Sequence, residues 1–201
     1  PDTDAASIRS VVEGLLRQRV DAIVLVVTDL GVLEVVRGLD LGVPMVAAAA
    51  TQRRHPQLVS IDQYRGARSA VRHLAELGHR RILHIAGPVR NPDAVERIRG
   101  WRDELAARQL AVVEPRHGDW TAASGAEIGR SLDLAPGDAV FAGNDHMAIG
   151  LLSALRARGL RVPEDVAVVG FDDVPEAAYL SPPLTTVRQD FRALGELMMQ
   201  K

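Results

Sequence analysis

The 201-residue sequence contains no cysteine. That excludes a disulfide framework, a thiolate metal site and a cysteine nucleophile, and it agrees with a reducing compartment such as the cytoplasm. An excess of one charge is missing too: 24 Lys and Arg stand against 26 Asp and Glu, a net charge of −2, so no basic surplus marks a nucleic-acid surface. Any contact with nucleic acid would have to come from another segment. No apolar run is long enough to span a bilayer, and no signal-peptide pattern begins at Pro1. The phosphate-cradling G-x-G-x-x-G and P-loop patterns are absent, as is G-x-S-x-G. The six histidines, His55, His73, His79, His84, His117 and His146, include no pair at one-turn spacing that would make a helical metal site.

What is present is a large apolar fraction, 47% of residues, enough for one large domain or two small lobes. Ala139–Asp173 reads as a strand, an amphipathic helix and a second strand. Both strands are apolar runs, as a parallel sheet covered on both faces requires, and both end on polar pairs, Asn144-Asp145 and Asp172-Asp173. Parallel strands end at one edge, where open α/β sheets hold their ligands.

The same alternation runs through the rest of the chain. The pattern predicts a helix over Ala5–Arg19, a strand at Ala22–Val27, a helix near Leu33–Leu39 and a strand at Pro44–Ala49. A polar loop, Thr51–Gln57, leads to a strand at Leu58–Ile61, and Asp62 is placed to cap a helix over Tyr64–Leu77 that stops at Gly78. Next come a strand at Arg81–Ala86, a helix over Pro92–Gln109, a weaker strand at Val112–Arg116 and a helix near Thr121–Leu132. After the Ala139–Asp173 unit follow a short helical turn at Pro175–Leu180, an extended segment at Leu184–Gln189 and a helix from Asp190 onward. Repeated βα units of this kind argue for parallel sheets with right-handed crossovers.

Five residues at or near the strand ends have the chemistry to hold a sugar-like ligand: Arg97, Asn144, Asp172 and Gln189 offer hydrogen bonds to hydroxyls, and Trp120 offers a flat apolar face. Each has an ordinary alternative. Arg97 also reads as a solvated helix residue, Trp120 as core filling in a chain with six other aromatics, Asn144 as a helix cap and Asp172 as a turn residue. Their common location distinguishes them. Asp172 and Asp173 do not form an acid/base pair on an extended chain, because neighbouring residues point to opposite sides.

RVDAIVLV at Arg19–Val26, GVPMV at Gly42–Val46, DQYRGARSAVRHLAELGHRRILHIAG at Asp62–Gly87, ERIRGW at Glu96–Trp101, the Ala139–Asp173 unit and LSPPLTTVRQDFRALG at Leu180–Gly195 together cover nearly the whole chain. In them the sequence resembles the effector-binding domain of the lactose-repressor (LacI/GalR) family of bacterial transcription regulators. The resemblance implies an α/β fold of two Rossmann-like lobes of type I periplasmic-binding-protein kind, with the effector between them. Residues 1–61 and 190–201 would form an incomplete N-terminal lobe and 62–189 the C-terminal lobe. It also assigns ligand contact to Arg97, Asn144, Asp172 and Gln189 and ring stacking to Trp120, with no catalytic residue, metal or cofactor. Gly118-Asp119-Trp120 points to a carbohydrate effector, purine-like ligands also being known in the family.

The departures are equally specific. A helix-turn-helix headpiece, the only route to DNA, is expected upstream together with a first strand and helix, and a further strand is expected beyond Lys201. The Ala47–Ala50 run stands where some sugar-responsive members place an acidic ligand contact. The helix of the Ala139–Asp173 unit carries Met147, Ile149, Leu151, Leu152 and Leu155 in a stripe wider than one sheet contact needs, which intramolecular burial or a homodimer surface would explain. The expectation is therefore a cytoplasmic, ligand-responsive transcription regulator without enzymatic activity or a membrane partner. A periplasmic sugar-binding protein of a transport system and an α/β enzyme on a sugar or nucleotide are the alternatives.

Overall fold

The computed structural model describes residues 5–49 and 58–200. The loop expected at Thr51–Gln57 and the last residue of the Ala47–Ala50 run lie outside the described residues. The chain divides into two compact units, residues 1–61, 90–93 and 190–201 in the first and 62–89 and 94–189 in the second.

The first unit contains α1 (Ala5–Arg17), β1 (Ile23–Val26), α2 (Leu30–Arg37), β2 (Met45–Ala48), β3 (Leu58–Val59) and α7 (Phe191–Met198). Its strands are parallel in the order β1-β2-β3. Ile8 and Val12 of α1 pack with Ile23, Val36 and Met45, the helical spacing of the first two giving the buried stripe. One expectation is corrected. α2 starts three residues earlier than its apolar periodicity indicates, because the Asp29 carboxylate accepts from Gly31 N at 2.8 Å and caps it there. On β1, Val24 and Val26 are exposed while Ile23 is buried.

The second unit contains α3 (Gln63–Glu76), β4 (Ile82–Ala86), α4 (Pro92–Ala107), β5 (Arg116–His117), α5 (Ala122–Ser131), β6 (Asp138–Ala142), α6 (Asp145–Ala157), β7 (Val166–Asp172), a 3-10 turn (Pro175–Tyr179) and β8 (Thr185–Arg188). The five strands are all parallel, in the order β5-β4-β6-β7-β8. β4 and β6 are buried along their full length, and their side chains alternate between two apolar layers. Phe141, Val169 and Phe171 face Val71, Leu74, Trp101 and Leu105 of α3 and α4. Leu83, Ile85, Val140 and Val168 face Ile128, Met147, Leu151 and Leu155 of α5 and α6.

The strand expected at Val112–Arg116 is instead the two-residue β5. Pro115 lacks an N–H for the ladder, so pairing with β4 starts after it, at Arg116 opposite Ile85. The α6 stripe is corrected as well. Met147, Leu151 and Leu155 are fully buried inside the unit and unavailable to a second chain, while Ile149 and Leu152 are half-buried. The width of the stripe arises because α6 packs on the sheet and on α5 together. That second contact is close: a Cβ on Gly150 would lie 1.8 Å from the Ala122 carbonyl oxygen.

A buried carboxylate clasps α3 to α4. Burial opposes the charge on Glu104, yet hydrogen bonds from Arg108, Arg68 and Arg72 hold its carboxyl down to about 2. His84 lies in the same layer, stacked on Phe141 with ring centroids 4.5 Å apart, and its Nδ1 meets the Phe141 carbonyl at 2.8 Å. Its buried Nε2 has no partner, and burial, with a smaller contribution from the Arg97 charge, lowers the imidazole to about 3.

Candidate functional site

In the second unit the chain leaves β4 for β5 on one side and then returns to β6 on the other, so strand order reverses between β4 and β6. The crevice outside the carboxyl ends of two such strands is where open α/β sheets bind ligands. The residues placed there follow from local sequence.

Trp120 is set by the turn before α5. The Asp119 carboxylate accepts from Thr121 N at 3.0 Å and from the Thr121 hydroxyl at 2.6 Å, and the same hydroxyl caps α5 by accepting from Ser124 N. Hydrogen bonds from Thr121, then Ser124, hold the Asp119 carboxyl at about 2. Within this turn Trp120 takes a positive φ of 74°, and its indole lies over the end of β4, where a Cβ on Gly87 would come within 2.1 Å of the ring. Glycine after β4 is therefore a requirement for the indole. Trp120 is half-buried and packs on the α5/α6 layer, so core filling and availability to a ligand coexist in one side chain.

Asn144 is the cap of α6, its oxygen accepting from Met147 N at 2.8 Å, and its amide nitrogen donates to the Trp120 carbonyl at 3.0 Å. The neighbouring Asp145 reaches sideways. Fully buried, it accepts from Val174 N at 2.9 Å and from the Thr186 hydroxyl at 2.6 Å, tying the exit of β7 to β8. Burial pushes its carboxyl above the ordinary value against the pull of those bonds.

Arg97 is not a solvated helix residue, being 4% exposed. Its guanidinium lies over the Phe171 ring, 3.9 Å from the centroid, and 5.4 Å from the Trp120 ring centroid. Its Nη1 donates to the Gly143 carbonyl, its Nε donates to Gln63 Oε1 at 2.9 Å, and its Nη2 stands 3.6 Å from Asp172 Oδ1. Gln63 Nε2 in turn donates to Gln189 Oε1 at 2.8 Å, and Gln189 Nε2 donates to Asp172 Oδ1 at 2.6 Å. Asp172 occupies a strained backbone position for a residue with a side chain, φ 119°, and Asp173 follows at 60°. The two carboxylates diverge, Asp173 pairing with Arg188, through this left-handed backbone rather than through strand pleating.

The structure thus brings Arg97, Asp172 and Gln189 into one bonded group and Asn144 into contact with Trp120, with Arg97 near the indole linking the two. Gln63 escaped sequence reasoning. A polar residue directly after a helix cap looks like surface, and its two partners lie 34 and 126 positions away. Gly87 and Gly143 carried a weak signal, as glycines directly after apolar strands. Among the described residues no helix is long and apolar enough to cross a membrane, and no three His, Asp or Glu side chains stand close enough to hold a metal ion.

Residues 71–201 match the family described as periplasmic binding protein-like domain. The HTH-type transcriptional regulator CelR of Thermobifida fusca is 43% identical over 174 residues, 85% of this chain and 49% of that protein. The lactose operon repressor of Escherichia coli (strain K12) is 39% identical over 139 residues, 68% of this chain and 38% of that protein. The chain spans about half the length of the curated relatives it matches. Among solved structures, a complex of the transcriptional regulator CelR with cellobiose superposes with a TM-score of 0.85 at 35% identity, covering 98% of this chain and 62% of that one. A dimeric lac repressor superposes with a TM-score of 0.88 at 31% identity, covering 98% and 74%.

Proposed function

The chain belongs to the LacI/GalR family of transcription regulators and carries its periplasmic binding protein-like domain, and from that premise we propose that it is the effector-binding part of a DNA-binding regulator whose effector is a carbohydrate. The observation that carries this reading is the grouping of Arg97, Asn144, Asp172 and Gln189 with the Trp120 indole beyond the ends of β4, β6, β7 and β8. A sugar offers the matching chemistry: hydroxyls that both donate and accept, and an apolar ring face for the indole. In this proposal the four polar side chains grip hydroxyls and Trp120 stacks on the ring. The solved CelR relative is a cellobiose complex, which makes a glucoside the first ligand to try.

The relatives are transcription regulators. In this reading the chain binds its ligand without turning it over, in the cytoplasm where operators are reached. The same relatives favour this reading over a transport receptor. Residues 1–61 with 190–201 and residues 62–189 act as the two lobes. The sugar regulates by binding one lobe arrangement more tightly than another, since a ligand shifts an equilibrium only by its difference in affinity. DNA is contacted through a headpiece outside this chain. A homodimer forms through Ile149 and Leu152, which line a groove of mixed character with Leu160, Val162, Leu180 and Pro182 beside Arg156, Arg161 and Glu164.

Titration calorimetry against cellobiose, glucose, galactose, lactose and hypoxanthine tests the reading. Heat with one of the sugars, lost in Asp172→Ala, is the expected result. Binding of hypoxanthine alone would replace carbohydrate with purine, and chemical change of a bound sugar would make the chain an enzyme. Sedimentation of Leu152→Arg as a monomer beside a dimeric wild type is expected for the interface.

A further inference from the structure

We propose that Gln63 is a positioning residue, resting on the carbohydrate reading above, that sets the rotation of Arg97 and dictates which end of the Gln189 amide faces the ligand. Arg97 can only donate and a carboxylate such as Asp172 only accepts, whereas the two amides between them each carry one donor group and one acceptor. The bonds run in a single direction: Arg97 Nε to Gln63 Oε1, Gln63 Nε2 to Gln189 Oε1, Gln189 Nε2 to Asp172 Oδ1. Turning either amide around would set two donors or two acceptors against each other, so the orientation of both is fixed by the charged residues at the ends. Exposures of 5% for Gln63 and 8% for Gln189 mean that water does not readily take over a lost partner.

The consequence for binding is specific. Gln63 consumes the Gln189 oxygen and leaves the NH2 on the side of Asp172, so a donor from Gln189 stands next to an acceptor from Asp172. A ligand hydroxyl, which accepts and donates at once, suits that pair, while an ether oxygen or a fluorine does not. With Nε held by Gln63 and Nη1 by the Gly143 carbonyl, the guanidinium has one rotation left, the one that aims Nη2 at Asp172. A glutamine that merely filled space next to the Asp62 cap would have no such directionality.

The test has a ligand-free arm and a ligand arm on the 201-residue chain. In nitrogen-edited proton spectra without sugar, the Arg97 Nε–H and the Gln189 side-chain NH2 are expected to exchange slowly with water. In Gln63→Leu, which keeps the volume and removes both bonds, they are expected to exchange at least about tenfold faster while backbone resonances away from the site stay in place. Unchanged exchange would overturn the proposal. If Gln63→Leu does not fold, Gln63→Glu decides. Its two acceptor oxygens require Gln189 to turn its NH2 toward residue 63, and nuclear Overhauser contacts from that NH2 to residue 172 persisting in this variant would overturn it equally.

In the ligand arm, the panel sugar that binds wild type is expected to bind Gln63→Leu at least about tenfold more weakly, and to lose its preference over the deoxy and fluoro derivatives at the affected hydroxyl. Wild-type affinity and preference in a variant whose spectra have changed would overturn the positioning role. If no panel sugar binds wild type, the carbohydrate reading fails on its own, and the spectra still decide whether Gln63 orders Arg97 and Gln189.

Discussion

Asn144 and Trp120 are joined by a bond from the Asn144 amide nitrogen to the Trp120 carbonyl at 3.0 Å, made by the same side chain whose oxygen caps α6. The cap of α6 and the hold on the Trp120 carbonyl therefore rest on opposite ends of one amide.

The two ends can be separated. Asn144→Ala loses both bonds and is expected to cost about 1 kcal/mol for the cap alone. Asn144→Asp keeps the acceptor at the helix N-terminus, where a negative charge is also favoured, but sets a second acceptor against the Trp120 carbonyl. Urea unfolding should place the Asp variant between Ala and wild type, while calorimetry finds its sugar affinity reduced at least about tenfold. Equal destabilisation in the two variants would contradict this division.

Asp172 is expected to show function held at the expense of backbone comfort. Ala and Gly at this position both lack the carboxylate, so neither is expected to bind sugar. They differ in tolerance of φ 119°, and Asp172→Gly should be the more stable of the two by about 1–2 kcal/mol. The measurement is the difference in unfolding free energy between these variants. An Ala variant as stable as the Gly variant would remove strain from the account.

His84 gives a pH dependence with a definite sign. Folding lowers its pKa from 6.5 to about 3, so between those values the unfolded chain binds a proton that the folded chain refuses. The folded state is fully favoured above pH 6.5 and loses ground toward pH 3, at about 1.4 kcal/mol per pH unit for this group. The stability of wild type minus that of His84→Leu should therefore fall as pH drops below 6.5 and stay level above it. A level difference across the whole range would show that the ring is accessible to protons in the folded state.

Glu104 follows the same protonation logic, the folded state again favouring the deprotonated form, although here that form is the charged one. Its folded pKa is depressed from 4.5 to about 2, so its contribution is present above 4.5 and disappears as pH falls to about 2. Arg68, Arg72 and Arg108 are between 30% and 51% exposed, and solvent screens the clasp accordingly. Glu104→Gln should cost about 1–3 kcal/mol at neutral pH, less as pH approaches 2, by urea unfolding.

Much of this molecule was legible because its signals are local. Asp62 before α3 and Gly78 after it bracket that helix, and the apolar runs at β6 and β7 announced a sheet covered on both faces. Asn144 and Asp172 stood out for the same reason, as polar residues at the ends of such runs. Other features depend on partners distant in sequence. Gln63 has its meaning only beside Gln189 and Arg97, and the division of the α6 stripe needs α5, whose glycines gave no sign of how near it packs. The role of Asp145 likewise required Thr186 to be brought next to it.

The seat of α6 on α5 also makes Gly150 a spacer. With no side chain there, the two backbones meet at Ala122, one helix beginning just after Trp120 and the other at Asn144, and a methyl group at position 150 would wedge the helices apart and carry Trp120 away from Asn144.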